Sequence, residues 1–327
     1  MSVFSLETTR RRLLHGLIPA VPVPFNARAE ISLAAQERYA GFMARQRVAG
    51  VAVWAHTGRG LRLTRTQRLE VLQTWTRALG ADEVVVAGVG GSPEAATDFP
   101  CYAASAVEMA RDAIAHGAHA LLVHPPRIFH RAKGGDELIL EFHNRLADLG
   151  APLILFYLYE AAGGILYSSG LLRRLLALPN VLGIKLATLD SVMTFQDVAG
   201  LVRREFPGKL VITGEDRFFG YSLMCGAEAA LVGMGATCAT LQKKMIESFF
   251  RGRSAEFLEL SRQVDRLSQS LFRAPMEGYI RRILWALAHQ GVIERESAND
   301  PWGPELAESE FAELGKIVKE LGTRSAA

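Results

Sequence analysis

Short runs of Val, Ile, Leu and Ala recur along the chain, separated by longer stretches whose apolar residues return every three or four positions. The runs predict strands at Leu17 to Val23, Val51 to Ala55, Val84 to Gly88, Ala120 to His124, Leu153 to Tyr157, Leu182 to Lys185, Leu210 to Thr213 and Ala229 to Gly233. Most are apolar throughout rather than alternating, the pattern of parallel strands covered by helices. The helical spacing predicts helices at Leu33 to Arg45, Thr64 to Leu79, Pro93 to His116, Asp136 to Leu149, Ser168 to Leu178, Ser191 to Phe206 and Phe218 to Cys225, with Thr64 as an N-cap. This α/β alternation favours a closed (β/α)8 barrel, a TIM barrel, over an open doubly wound sheet.

Beyond the eighth strand, Leu241 to Phe250, Ala255 to Leu267, Pro275 to Gln290 and Glu305 to Leu321 also carry helical spacing. One barrel helix accounts for only part of this. The expected organisation is a barrel with a short N-terminal helix over residues 1–240, then the last barrel helix and a C-terminal helical extension over 241–327.

Composition narrows the partners. The 327 residues are 49% apolar and 22% charged, as in a folded protein with a large core. Thirty-seven basic and 34 acidic residues leave a formal charge of +3 with the arginines scattered, so no nucleic-acid partner is expected. No uncharged apolar run is long enough to predict a membrane span. Cys101, Cys225 and Cys238 form no CxxC pair or disulfide framework, which fits a reducing, cytoplasmic setting. Thr9 to Leu14, with Arg10, Arg11 and Arg12, superficially resembles a twin-arginine signal. The following apolar run is broken by His15, Pro19 and Pro22, so a basic helix and a first strand are the better expectation. Neither a metal-ligand spacing nor a GxGxxG after the first strand occurs, and no metal or cofactor is expected.

The candidate chemistry sits at strand ends. Lys185 ends the sixth predicted strand and Tyr157 the fifth. A lysine projected from an interior strand is costly unless it is paired, neutral or reactive. At a barrel mouth its amine is placed to form an imine with a ketone, against the plainer reading of a salt-bridged structural lysine. The Tyr157 hydroxyl is placed to relay protons, or else its ring is packing. After the second strand, Ala55 to Gly60 offers Thr57 and backbone donors for a carboxylate, His56 as proton donor or ligand group, and Arg59 as a brace paired to a carboxylate. Arg127, after His124-Pro125-Pro126, is a candidate for an anionic substrate tail, for orienting Tyr157, or for plain solvation. Gly214 is a candidate to line the pocket through its backbone, while Glu215 and Asp216 are expected to cap the next helix.

Together these segments resemble the dihydrodipicolinate synthase/N-acetylneuraminate lyase family of class I aldolases, from Leu17 to Ala239. The family's Gly-Ile-Lys-Glu-Ala is similar to Gly183-Ile-Lys-Leu-Ala187, and its Gly-Thr-Thr-Gly-Glu to Ala55-His-Thr-Gly-Arg59. The turn Gly88-Val-Gly90 and the segment Thr213-Gly-Glu-Asp216 also match family patterns. The resemblance implies Lys185 as the imine-forming amine, Tyr157 as proton relay, and a homotetramer, with a dimer left open by the sequence itself. It implies a lyase that cleaves or condenses a 2-oxo acid, with pyruvate as one component and an aldehyde or sugar acid as the other. A sugar-acid dehydratase using the same lysine and a non-catalytic ligand-binding barrel are the competing readings. Three departures bear on substrate. Ala162 stands where the synthases carry an arginine, and His56 and Arg127 replace the family's first threonine and relay tyrosine.

Overall fold

The computed structural model describes residues 5–95, 98–130 and 132–326. The apolar runs become eight strands: β1 (Leu17–Pro19), β2 (Gly50–Val53), β3 (Val84–Val89), β4 (Ala120–Val123), β5 (Leu153–Leu158), β6 (Val181–Ala187), β7 (Leu210–Thr213) and β8 (Ala229–Val232). They pair in parallel in the order β1-β8-β7-β6-β5-β4-β3-β2. A parallel bridge between Ala20 and Ala52, with Val21 N donating to Ala52 O at 3.0 Å, joins β1 to β2 and closes the ring. β1 ends at Pro19, short of the expected Val23: Ala20 N and Val21 N still donate to Val232 O and Ala52 O, and Pro22 then supplies no N–H to carry the ladder on. β6 instead runs past its expected end, so Lys185 lies inside the strand rather than at its tip.

After the N-terminal helix α1 (Leu6–Leu13), one helix follows each strand: α2 (Leu33–Arg45), α3 (Arg65–Ala78), α4 (Phe99–Ala115), α5 (Gly135–Ala147), α6 (Ser169–Leu176), α7 (Val192–Glu205), α8 (Phe219–Met224) and α9 (Ala239–Phe250). Thr64 and Gln67 form a capping box at the start of α3, satisfying amides that would otherwise be unpaired. α4 begins later than expected, behind the Asp98 N-cap, because Pro93–Ala95 forms its own short 3-10 turn. Residues 96 and 97 of that predicted helix lie outside the described residues.

Side-chain alternation divides the core into two layers. Ala20, Ala52, Val84, Leu122, Ile154, Phe156, Ile212 and Leu231 fill the barrel interior. Leu155, Tyr157, Ile184, Leu186 and Val211 face outward and pack with helix residues such as Phe142, Leu172 and Phe195. Each fully buried Leu, Ile or Phe contributes about 1.5–3 kcal/mol. The interior is a packed plug, so a ligand enters only at its ends.

Three further helices follow: α10 (Ser254–Leu271), α11 (Tyr279–His289) and α12 (Glu308–Ala326). The predicted helix from Pro275 starts only at Tyr279, behind a 3-10 turn at Met276–Gly278. The segment from Phe272 to Tyr279 forms an arch at the barrel mouth. Buried Arg282 holds it from α11: Nη1 donates to the carbonyls of Arg273 (2.8 Å) and Pro275 (3.2 Å), Nη2 to that of Ala274 (3.2 Å), and Nε to Glu310 (2.8 Å). Among the described residues no helix is long and apolar enough to cross a membrane.

Candidate active site

Lys185 points into the barrel at its C-terminal end, the end where this fold carries its sites. Its Nζ lies 4.0 Å from the centre of the Phe156 ring, and it makes no ion pair among the described residues. Burial lowers its pKa from the ordinary lysine value, against the raising influence of Asp216 and Glu215. The amine is therefore deprotonated at lower pH than an exposed one. A small inner chamber surrounds it, walled by Thr57, Phe156, Tyr159, Gly214, Asp216 and Tyr279 among others. An outer cavity of about 430 Å³ lies beyond, lined in part by Arg59, Arg62, His124 and Arg127. His56, Leu158, Ala162 and Glu277 line both spaces and so form the neck between them.

The structure does not bring Tyr157 to the lysine. At the start of β5, Leu153 pairs with Val181, a register that would set Tyr157 opposite Lys185. An irregularity between Leu153 and Ile154 then shifts the pairing, so Phe156 stands opposite Lys185 and Tyr157 opposite Leu186. One residue of slip turns every side chain to the other face. Tyr157 therefore packs outward with its ring 5.4 Å from that of Tyr167, and lines neither space. Burial raises its hydroxyl pKa. Replacing Tyr157 by Phe is expected to leave pyruvate adduct formation at Lys185 intact, whereas loss of a proton-relay hydroxyl would slow it on the order of 10²-fold. Borohydride trapping rates distinguish the two.

The loop after β2 is shaped by close backbone passage. Trp54 has φ of 57°, and a Cβ on Gly88 would lie 2.4 Å from the Trp54 carbonyl oxygen. Thr57 is buried, with its Oγ1 3.1 Å from the Tyr279 hydroxyl. The amides of Thr57 and Gly58 donate to no acceptor among the described residues, which leaves two adjacent donors for an anion. Arg59 braces the loop as expected, with Nη2 2.7 Å from Asp300 Oδ2 and Nη1 2.8 Å from Glu277 Oε2. His56 Nε2 lies 3.0 Å from Glu277 Oε1. The neighbouring His124 is buried and donates from Nε2 to Trp54 O at 3.1 Å; burial lowers its pKa to about 4, so it stays neutral.

Gly214 lines the inner chamber, but its N–H donates to Leu186 O at 2.6 Å and is not free for a ligand. Its value is space: a Cβ there would sit 2.6 Å from Lys185 Cε. Glu215 and Asp216 do not cap α8, whose N-cap position is Phe218 with no side-chain bond. Glu215 turns back to accept from Thr188 N, Thr188 Oγ1 and Leu189 N, and burial pushes its carboxyl up to about 8. Asp216 accepts from Met234 N at 2.7 Å beside the chamber, its pKa raised by burial and lowered in part by Lys185. Arg127 reaches the outer cavity, is exposed, and pairs neither with Tyr157 nor with any acid among the described residues.

Glu277 and Tyr279 carry no motif of their own. They reach the mouth only because the C-terminal arch crosses it, so no local signal in the sequence points to them. Among the described residues no three His, Cys, Asp or Glu side chains converge as a metal-binding group.

The match to known proteins agrees with this architecture. The model of the dihydrodipicolinate synthetase family matches residues 13–321. The chain belongs to that family.

Membership makes it an aldolase-type lyase. N-acetylneuraminate lyase 2 of Escherichia coli is 21% identical over 308 residues, covering 94% of this chain and 94% of that protein. The 4-hydroxy-tetrahydrodipicolinate synthase of a Synechococcus is 28% identical over 259 residues, covering 78% of this chain and 80% of that one. Among solved structures, YagE, an E. coli K12 prophage protein of the dihydrodipicolinic acid synthase family in complex with pyruvate, superposes with a TM-score of 0.81 at 20% identity, covering 94% of this chain and 98% of its own. At such identities the family and fold carry over, while the substrate does not.

Proposed function

We propose that the chain is a Schiff-base aldolase that cleaves a 2-oxo acid to pyruvate and an aldehyde, or joins the two. The observation that carries this reading is Lys185: a buried amine with a lowered pKa, free of ion pairs among the described residues, at the wall of a chamber that opens to a larger cavity. A structural lysine in a barrel would be tied to an acid, so this geometry favours a reactive amine over a degenerate binding barrel.

In this reading the free amides of Thr57 and Gly58 hold the substrate carboxylate, and Lys185 attacks the C2 carbonyl. The Thr57–Tyr279 hydroxyl pair stands in the inner chamber where a relay is needed, taking the part that the resemblance would have given to Tyr157. Asp216 exchanges a proton with the lysine as the carbinolamine loses water. The rest of the substrate extends through the neck into the outer cavity, where Arg62 and Arg127 favour a group with negative charge. The resemblance also carries a homotetramer, which sedimentation reads directly.

The acid beside the lysine gives a pH test. Asp216 raises the lysine pKa, so Asp216→Asn lowers it further. The rise of adduct formation with pH, which follows the free amine, is expected to move to lower pH in that variant. An unmoved profile would show that Asp216 does not act on Lys185. To test the reaction itself, 4-hydroxy-2-oxo acids are offered and pyruvate is measured with lactate dehydrogenase. Release of pyruvate supports the aldolase; loss of water from a sugar acid with no pyruvate released would favour a dehydratase instead.

A further inference from the structure

Retro-aldol cleavage needs a base at a second place, two carbons beyond the imine carbon, where the substrate hydroxyl becomes the aldehyde. With the imine on Lys185 in the inner chamber, that hydroxyl falls at the neck. His56 and Glu277 are the two ionisable side chains among the described residues that line both spaces.

Their arrangement is directional. Glu277 Oε2 is held by Arg59 Nη1 at 2.8 Å, and Arg59 is fixed in turn by buried Asp300 through Nη2 at 2.7 Å. Glu277 Oε1 faces His56 Nε2 at 3.0 Å. Although burial opposes it, His56 and Arg59 hold the Glu277 carboxyl down at about 2, so it accepts rather than donates. Nε2 therefore carries a proton, and in the neutral ring the lone pair lies on Nδ1. The hydrogen bond that His56 makes among the described residues runs through Nε2 and leaves Nδ1 to a ligand. The imidazole also lies nearly parallel to the Tyr279 ring, at 13° and 6.4 Å between centres, which fixes its plane. A carboxylate that orients an imidazole and fixes its tautomer is a general-base arrangement.

We infer that His56, oriented by Glu277, is the general base of the carbon–carbon step. The inference rests on imine formation at Lys185. His56 Nδ1 takes the proton of the C4 hydroxyl, and the O–H electrons form the aldehyde C=O. The C3–C4 bond breaks, and its pair forms C2=C3 as the protonated imine becomes a neutral enamine. The imidazolium then returns its proton to C3, and water hydrolyses the imine to pyruvate and free Lys185. In the condensing direction the same imidazolium donates to the aldehyde oxygen. His56 is the catalytic residue in this account and Glu277 a positioning residue.

The test uses the full chain and His56→Asn, His56→Ala and Glu277→Gln, with pyruvate as donor and glyoxylate or glyceraldehyde as acceptor. Borohydride trapping of pyruvate is measured beside the rate of condensation. All three variants are expected to keep trapping at the native rate. His56→Asn is expected to lose condensation by about 10²- to 10⁴-fold, and added imidazole to restore part of it in His56→Ala. Glu277→Gln is expected to lower kcat with the KM for pyruvate unchanged, which a merely structural role would not produce. Condensation that persists in His56→Asn, or trapping that falls in step with condensation, overturns the inference. So does a native chain that traps pyruvate but condenses it with neither aldehyde. A native chain that fails to trap pyruvate instead removes the imine reading, and the inference falls with it.

Discussion

Replacing Lys185 by methionine is expected to lower turnover on the order of 10⁴-fold or more while leaving the fold as stable as before, or up to about 2 kcal/mol more stable. The loss follows because among the described residues no other lysine lines the inner chamber. The stability follows from what the lysine costs. Its amine is buried without an ion pair among the described residues, beside the Phe156 ring. Methionine fills similar space, needs no hydration, and packs well against an aromatic face. Nor does the substitution strand an anion. Burial already raises the Asp216 carboxyl, and the lysine is one of the groups that lower it, so without Lys185 that pKa rises further. A folded-state pKa above the unfolded value gives a contribution that is full at low pH and lost as pH rises through the folded value. The gain in melting temperature is therefore expected to be larger at mildly acidic than at alkaline pH. A variant that melts well below the native chain at every pH would contradict this account of the lysine as a functional group held at a cost.

Arg282→Met is expected to cost about 3–5 kcal/mol, read as a lower urea midpoint. Arg282 is only 1% exposed, and its guanidinium serves the carbonyls of Arg273, Ala274 and Pro275 as well as Glu310. Methionine fills the space and leaves those acceptors unpaired in a dry place, where each loss is felt in full. Arg282→Lys keeps the charge but lacks the planar fork, and is expected to recover only part of the loss. Glu310 adds a pH signature. Arg282 and Arg273 hold its carboxyl below the ordinary value against its burial. That contribution is present above the unfolded pKa and lost as pH falls through the folded one, so the native chain loses more stability in acid than Arg282→Met does. The same substitution loosens the arch that carries Glu277 and Tyr279, so activity is expected to fall along with stability. An unchanged urea midpoint would show that the arch is held by something else.

The barrel was legible because parallel strands buried on both faces leave unbroken apolar runs, and Lys185 was legible because a charge inside such a run demands an explanation. The partner of the lysine was not. Counting back along β5 puts Tyr157 opposite Lys185, and the irregularity between Leu153 and Ile154 puts Phe156 there. A register shift is a property of two strands together and leaves no mark in either alone. His56, Thr57 and Arg59 stood out because a glycine-rich loop at a strand end already suggests a ligand. Glu277, Tyr279 and Asp300 did not, since they meet that loop only through the C-terminal arch. The acids of Thr213-Gly-Glu-Asp216 looked like caps, yet their partners are amides of other loops, Thr188 and Met234.

Intact mass spectrometry after borohydride reduction in the presence of pyruvate tests the central claim most directly. The native chain is expected to gain one reduced pyruvyl group, mapped by peptide digestion to Lys185, and Lys185→Met to gain none. A native chain that remains unmodified, or an adduct that persists in Lys185→Met, would contradict it.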